Sequence, residues 1–214
     1  MAKTTVTFGE IMLRLAPPGF ERFLQTPLFS ATFGGGEANV AVSLAGSGLP
    51  AAFVTVLPEN NALADAAVGE LRRFGVDISR ILHGKGRLGI YFIEAGANQR
   101  PSKVVYDSEN SAIALAKPGD ISWDDAFENA SWFHVTGITP AIGATAAELV
   151  LESMRRAREM GITVSCDLNY RKMDRKSSSP LWACAFGQVP TGPVHSFTAG
   201  SGNVSLRKHR QHFR

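Results

Sequence analysis

Residues 33–45, FGGGEANVAVSLA, pass from an extended segment through three consecutive glycines into a helical pattern. On either side, residues 4–8 and 51–57 are short runs rich in β-branched and apolar side chains, as is typical of buried strands. A strand, a helix and a second strand at this spacing make a unit whose two strands run parallel. The stretch therefore predicts an α/β fold.

The same alternation of strand and helix continues to about residue 167. Further helices are predicted over residues 62–74 and 145–160, and further strands over residues 132–136 and 163–167. Thr145-Ala-Ala-Glu148 has the pattern of a capping box at the start of the longest helix, and Gly161 is placed to end it. The alternation predicts a doubly wound parallel sheet.

Two stretches, residues 11–33 and 88–107, interrupt the alternation. Both are extended and aromatic, and they are punctuated by Pro17-Pro18-Gly19 and by Gly96, with no helix of adequate length inside them. This pattern favours β-strands that stand off the main sheet, as a lid or as a dimer surface.

Composition excludes several classes of protein. The 214 residues are 44% hydrophobic and 19% charged, which indicates a globular domain and excludes collagen-like, coiled-coil and wholly disordered chains. No run approaches the roughly 18 to 20 apolar residues that span a bilayer, and the first ten residues lack the apolar segment of a signal peptide. We therefore expect a cytoplasmic protein with no membrane partner.

The net charge of +3 is concentrated at one end of the chain. Residues 1–172 hold 16 Lys and Arg against 18 Asp and Glu, whereas residues 173–214 hold 6 against 1. The second segment also packs 13 Gly, Pro and Ser into 42 residues without helical or strand periodicity. We expect a folded domain over residues 1–172 and a disordered basic tail over residues 173–214. The tail could be a nucleic-acid arm, but so abrupt a break is more typical of a linker, an expression scar or out-of-frame translation, so no nucleic-acid partner is expected.

The first candidate site is the glycine-rich turn at residues 33–39. Consecutive glycines let the backbone approach a ligand closely, and free N–H groups in a helix's first turn bind anionic or hydroxyl oxygens. The alternative is a tight turn with a helix cap. The turn is not a Rossmann fingerprint, since Asn39 occupies the third glycine position, and it is not a Walker A loop, since no Gly-Lys-Ser/Thr follows.

Gly84-Lys-Gly86-Arg-Leu-Gly89 does match G-x-G-x-x-G, but it leads into a strand and is interpreted as a turn. His134 is interpreted as a buried strand residue. Cys166 and Cys184 have no partner at metal-ligand spacing, so no metal site is predicted from them.

The second candidate is Asp167-Leu-Asn169-Tyr-Arg171, at the C-terminal end of a predicted strand. Ligands of open α/β sheets bind beyond such ends, where Arg171 could neutralise a phosphate; alternatively Arg171 pairs with Asp167. On the lid segments, the hydroxyls of Tyr91 and Tyr106 could hydrogen-bond a sugar, or the rings could simply pack.

Together with Phe74-Gly-Val-Asp77 and residues 134–141, HVTGITPA, these motifs resemble the ribokinase-like, PfkB-type carbohydrate kinases over about residues 4–172. The resemblance is strongest to the kinases of 2-keto-3-deoxygluconate. It implies a three-layer α/β/α sandwich with a small β lid, and ATP-dependent phosphorylation of a sugar or sugar acid, here 2-keto-3-deoxygluconate to its 6-phosphate. It also implies Mg²⁺ as a cofactor with ATP, and a homo-oligomer formed through the lid.

The resemblance also implies roles for individual residues. Around the substrate it places Gly35, Gly36, Glu37, Ala38 and Asn39 from the turn, and Tyr91, Tyr106, Asp107 and Ser108 from the lid. Near the nucleotide phosphates it places Asn169, Tyr170 and Arg171.

Two departures from the family pattern bear on function. Ser108 stands where relatives usually carry an arginine that could pair with a sugar carboxylate, so a neutral ketose such as fructose is an alternative substrate. The family's Gly-Ala-Gly-Asp segment, whose Asp deprotonates the attacking hydroxyl, does not occur in this sequence; Gly119-Asp120 is interpreted as a loop. We therefore expect a sandwich truncated on its C-terminal side, an unpaired sheet edge at residues 163–167, and no catalytic turnover. A frameshift after codon 172 would explain the break in composition. The alternative function is a non-catalytic sugar-binding or dimerising module.

Overall fold

The computed structural model describes residues 3–167, Asn169 and the backbone of two strands between residues 195 and 208. The helices are α1 Gly36–Gly46, α2 Ala62–Arg73, α3 Ala112–Leu115, α4 Trp123–Ala126, α5 Ile138–Ile142 and α6 Ala144–Glu159. The strands are β1 Thr4–Phe8, β2 Met12–Ala16, β3 Ser30–Gly34, β4 Ala51–Pro58, β5 Ile81–Gly84, β6 Gly89–Glu94, β7 Lys103–Asp107, β8 Ala130–Thr136, β9 Thr163–Asp167, β10 His195–Gly200 and β11 Asn203–Lys208.

The main sheet has the strand order β11-β10-β9-β8-β1-β4-β5. All neighbours from β5 to β10 are parallel, and β11 runs antiparallel to β10. Two hydrophobic clusters lie on its two faces, one containing residues of α3, α4 and α6 and the other residues of α1 and α2. The three-layer α/β/α sandwich is therefore confirmed.

Strand β4 shows why the central strands are apolar throughout. All eight of its residues are buried. Val54 and Val56 belong to the cluster on the α6 side, while Phe53 and Leu57 belong to the cluster on the α1 side. Since helices cover both faces, the strand has no solvent-facing side, and its sequence reads as a continuous hydrophobic run.

A separate four-stranded sheet, β3-β2-β6-β7, forms the lid that the two interrupting stretches predict. The buried carboxylate of Glu94 holds the lid to the loop after β2: it accepts hydrogen bonds from Nη1 of Arg100 at 2.9 Å and from the backbone N–H of Phe23 at 3.1 Å. The lid is thus joined to its own connecting loop by a buried ion pair, not by strand pairing alone.

The prediction of a capping box at Thr145 is wrong. Helix α6 begins one residue earlier, with Gly143 as its N-cap and no side-chain cap. The Thr145 hydroxyl instead donates to the carbonyl of Ala114 at 3.0 Å, because α3 offers a tertiary acceptor close by. The predicted end of the helix is confirmed: Gly161 has a φ of +73°, which is the left-handed conformation that glycine adopts without strain.

The expectation for the tail and for the sheet edge needs correction. The structure places strands at His195–Gly200 and Asn203–Lys208, and β10 pairs with β9 in parallel, so β9 is not the edge. An open strand presents N–H and C=O groups that any extended segment can pair with, whatever its side-chain pattern. The hydrophobic periodicity of the sequence therefore does not predict that β10 and β11 extend the sheet. Within the described part of the chain, no helix is both long and apolar enough to cross a bilayer.

Candidate active site

The glycine-rich turn joins lid strand β3 to helix α1. Gly35 is the N-cap, with extended backbone (φ −174°) and no side-chain cap on the first-turn N–H groups. A Cβ added at Gly35 would lie 2.0 Å from the carbonyl oxygen of Glu10. Glycine is therefore required here by close backbone approach, and the turn rests directly on the connection between β1 and β2.

The turn and the second candidate segment lie at the same edge of the main sheet. A Cβ added at Gly36 would lie 3.2 Å from Cγ2 of Thr136, the last residue of β8. Thr136 is in register with Asp167, the last residue of β9, and the next N–H, of Gly137, donates to the Asp167 carbonyl at 2.8 Å. The C-terminal ends of β8 and β9 thus connect the two segments that the sequence proposes.

Asn169 continues this edge in a left-handed conformation, with φ of 43°. Its backbone N–H donates to Oδ1 of Asp167 at 2.9 Å, which fixes the turn after the strand. The other two predicted nucleotide contacts, Tyr170 and Arg171, lie outside the described residues.

Glu37, which the family resemblance places around the substrate, is buried beneath the glycine-rich turn. The side chain is 1% exposed, and its Oε1 accepts from the Thr136 N–H at 2.9 Å, the Thr136 hydroxyl at 2.8 Å and the Thr139 hydroxyl at 2.7 Å. Burial raises the pKa of this carboxyl above its ordinary value, and the hydrogen bonds oppose that rise. Glu37 therefore joins α1 to β8 and α5.

The remaining residues of the turn divide by exposure. Ala38 is 2% exposed and packs in the core with Ala41, so only its backbone can serve a ligand. Gly35 and Gly36 are half-buried and Asn39 is exposed. The accessible part of the turn is thus two glycine backbones and one amide side chain.

Two predicted lid residues come together. The rings of Tyr91 and Tyr106 stack with centroids 5.7 Å apart, and their positions are in register on β6 and β7. The Tyr91 hydroxyl lies against Gly34: a Cβ added there would be 2.8 Å from it. Burial raises the pKa of Tyr91 above 10.0, and the positive charge of Arg14 partly offsets the rise. The stacked pair therefore borders the glycine-rich turn.

The other two predicted lid residues have protein partners instead. Asp107 forms an ion pair with Arg87 and is in register with Ile90, which packs on the core, so it lies on the opposite face from Tyr106. The Ser108 hydroxyl donates to Oε2 of Glu10 at 2.7 Å. The substrate contacts predicted for Asp107 and Ser108 stay predictions, and the structure gives both side chains a protein partner as well.

Arg14 and Glu10 lie beside the stacked tyrosines and the glycine-rich turn, although no local sequence pattern indicates them. Arg14 is in register with Tyr91, and Glu10 lies under the turn. An alternating strand pattern reveals which residues of one strand share a face, but it does not reveal which residue of another strand lies opposite. The register of the lid strands places Arg14, and the close approach of the Gly35 backbone places Glu10.

Glu10 is a buried carboxyl group whose surroundings disfavour its charged form. It is 6% exposed and its Oε1 has no hydrogen-bond partner among the described residues. Burial is the main cause that raises its pKa above 4.5; the negative charge of Glu37 adds to the rise, while Ser108 and Arg87 oppose it.

The raised pKa of Glu10 predicts a pH-dependent stability. An acid with a raised folded pKa contributes stability that is fully present below 4.5 and is lost as pH rises through the folded pKa. We therefore expect Glu10→Gln to be more stable than the wild type at pH 7 to 8, with a difference that shrinks to its minimum near pH 4. Urea unfolding across this range measures it. Exposed Glu148→Gln is the control, and a difference independent of pH would contradict the assignment to Glu10.

The structure confirms the interpretations of His134 and of the G-x-G-x-x-G stretch. The side chain of His134 is buried, with Nδ1 2.9 Å from the Ser165 hydroxyl. The G-x-G-x-x-G stretch is a turn, in which Gly86 has a φ of +122°. Among the residues with described side chains, no group of three or more His, Cys, Asp and Glu could hold a metal ion.

Comparison with known proteins gives a consistent result. The sequence model for a pfkB family carbohydrate kinase matches residues 2–183, past the boundary predicted at Lys172. The 2-dehydro-3-deoxygalactonokinase of Haloferax volcanii is 37% identical over 183 residues, which are 86% of this chain and 55% of that protein. The 2-dehydro-3-deoxygluconokinase of Bacillus subtilis is 30% identical over 173 residues, covering 80% of this chain and 52% of that protein.

Among solved structures, the 2-dehydro-3-deoxygluconokinase of Thermotoga maritima aligns with a TM-score of 0.76 and 55% identity, over 79% of this chain and 52% of that one. The chain thus spans about half the length of the curated relatives it matches. Because the family model covers most of its residues, and because the sandwich, the lid and the turn are all present, the chain belongs to the pfkB family of carbohydrate kinases.

Proposed function

We propose that this chain provides the sugar-binding half of an ATP-dependent kinase for 2-keto-3-deoxy sugar acids, with 2-keto-3-deoxygluconate as substrate and its 6-phosphate as product. The observation that carries the proposal is the meeting of the glycine-rich turn, the stacked tyrosines and the Asp167–Asn169 turn at one edge of the sheet. The names of the similar proteins from Haloferax volcanii, Bacillus subtilis and Thermotoga maritima support a sugar acid.

Each part of the site has a chemical task in this proposal. The first-turn N–H groups of α1 and the amide of Asn39 hydrogen-bond sugar hydroxyls. The stacked tyrosines cover the sugar and exclude water, which strengthens those hydrogen bonds. Phosphoryl transfer depends mainly on this kind of positioning and on electrostatic stabilisation.

The nucleotide side of the site is proposed at the end of β9. ATP phosphates would lie near Asn169, Tyr170 and Arg171. Mg²⁺ usually binds through one or two protein carboxylates together with substrate phosphates. Asp167 is a half-buried carboxylate at this edge and fits that requirement.

Calorimetric titration of the 214-residue chain tests the sugar site. We expect it to bind 2-keto-3-deoxygluconate, and Asn39→Ala to weaken that binding about tenfold, because one polar contact is worth about 1–1.5 kcal/mol. Ser43→Ala, exposed in the same helix, is the matched control. Failure to bind any sugar would contradict the proposal, and preference for fructose would favour a neutral ketose kinase.

A coupled assay for ADP tests turnover by the same chain. We expect ATP-dependent phosphorylation to stay within background, since the sequence contains no Gly-Ala-Gly-Asp segment to supply the proposed base. Sugar binding without ATP binding would favour a non-catalytic sugar-binding module. Appreciable turnover by chain of verified mass would show that another residue deprotonates the hydroxyl.

A further inference from the structure

We propose that Arg14 binds the carboxylate of the sugar acid and so makes the site prefer acidic over neutral sugars. The proposal rests on the proposed function, because it assigns a specificity-determining residue to that same site.

Arg14 shares one face of the lid with the stacked tyrosines. It is in register with Tyr91 on β6 and with Thr32 on β3, and Tyr91 is in register with Tyr106 on β7. Paired positions in a sheet project to the same side. The four residues therefore form one row across the lid, and the row meets the glycine-rich turn where the Tyr91 hydroxyl lies against Gly34.

The guanidinium of Arg14 has no acceptor in the part of the chain that the structure describes. Its Nε is buried without a hydrogen-bond partner, and no ion pair or side-chain hydrogen bond involves it. A buried donor that stays unpaired costs about 1–3 kcal/mol. Such a cation in a half-buried position has the donors for an external anion, and a carboxylate matches its planar fork.

Two other arginines close to the lid strands, Arg87 and Arg100, have partners. Arg87 pairs with Asp107 and donates to the carbonyls of Glu109 and Leu88. Arg100 pairs with Glu94 at 2.9 Å and also donates to the carbonyl of Phe20. Arg14 is the one arginine within the four lid strands, and its Nε has no described partner.

The position of Ser108 supports this assignment. Its side chain is neutral and its hydroxyl donates to Glu10, so it cannot neutralise a substrate carboxylate. Arg14 supplies the charge from β2, on the same face of the lid as Tyr106. A neutral ketose would leave its donors unpaired, and a site that hydrogen-bonds a substrate group discriminates strongly against analogues without it.

Calorimetric titration of four forms of the full chain with 2-keto-3-deoxygluconate and with fructose tests the proposal. We expect Arg14→Met to weaken binding of the acid by about 10- to 100-fold, as for loss of a charge-assisted pair, and to weaken binding of fructose far less. Arg14→Lys should fall between, because it keeps the charge and loses the fork. Lys103→Met removes a cation from the opposite face of β7 and should bind both sugars as the wild type does.

Each remaining outcome decides the question. Equal weakening of both sugars, or no weakening of either, would overturn the role of Arg14 and leave the proposed function standing. If the wild-type chain binds only fructose, or binds neither sugar, both the role of Arg14 and the proposed function are overturned. If Arg14→Met does not fold, the Arg14→Lys variant tests the proposal. Unchanged binding of the acid by Arg14→Lys would contradict a carboxylate held by the planar guanidinium. Absorbance titration of tyrosine gives a readout independent of sugar: loss of the Arg14 charge should raise the pKa of Tyr91 further.

Discussion

Gly35→Ala is expected to destabilise the protein by about 3 kcal/mol, the upper range for forced overpacking. The added Cβ would lie 2.0 Å from the carbonyl oxygen of Glu10 and 3.3 Å from Cα of Ile11. Both neighbours are backbone atoms, so no side-chain rotation can relieve the clash. Either the β1–β2 connection or the start of α1 must move, and sugar binding should be lost with the turn.

Urea unfolding of purified protein measures this effect. Gly34→Ala is a graded comparison, since its Cβ would meet the Tyr91 hydroxyl at 2.8 Å, which is the mobile end of a side chain. Gly69→Ala in α2 is a control for which the free energy of unfolding should rise, because nothing lies within 4 Å of its added Cβ. Alanine should stabilise that helix by about 0.5–1 kcal/mol. Wild-type stability in Gly35→Ala would show that the turn is not tightly seated.

Glu37→Ala is expected to cost about 4 kcal/mol, because three buried donors lose their acceptor at about 1–3 kcal/mol each. The donors are the Thr136 N–H and the hydroxyls of Thr136 and Thr139. Besides the loss of stability, we expect weaker sugar binding, since the first turn of α1 would no longer be held against β8.

Thermal and urea unfolding, together with sugar titration, check this expectation. Glu37→Gln keeps one acceptor oxygen in place and should recover most of the lost stability. Glu148→Ala removes an exposed carboxylate from α6 and should change stability by less than about 0.5 kcal/mol. A Glu37→Ala variant as stable as this control would contradict the structural role of the buried carboxylate.

Local patterns were sufficient for most of the fold. Strands Thr4–Phe8 and Thr163–Asp167 lie where the apolar runs place them, and the two aromatic stretches do form the lid sheet. These elements are determined by hydrophobic periodicity and by turn residues, which act over a few neighbouring positions.

The hydrogen bonds of the site could not be predicted in this way, since they depend on partners far along the chain. Glu37 has the residue type of a ligand, but its hydrogen-bond partner Thr139 is 102 positions away. Ser108 is similarly separated by 98 positions from Glu10. No local pattern reveals that such a distant residue already hydrogen-bonds a polar group. A buried structural side chain and an exposed ligand-binding side chain therefore cannot be distinguished from the local sequence.

The mixed lid sheet has a consequence for how the chain folds. Strand β2 pairs with β3 in a local hairpin, but it pairs in parallel with β6, which is reached only after α1, β4, α2 and β5. Closing so large a loop costs chain entropy before any contact compensates for it. We therefore expect β2 to pair with β6 only after β1, α1 and β4 have come together.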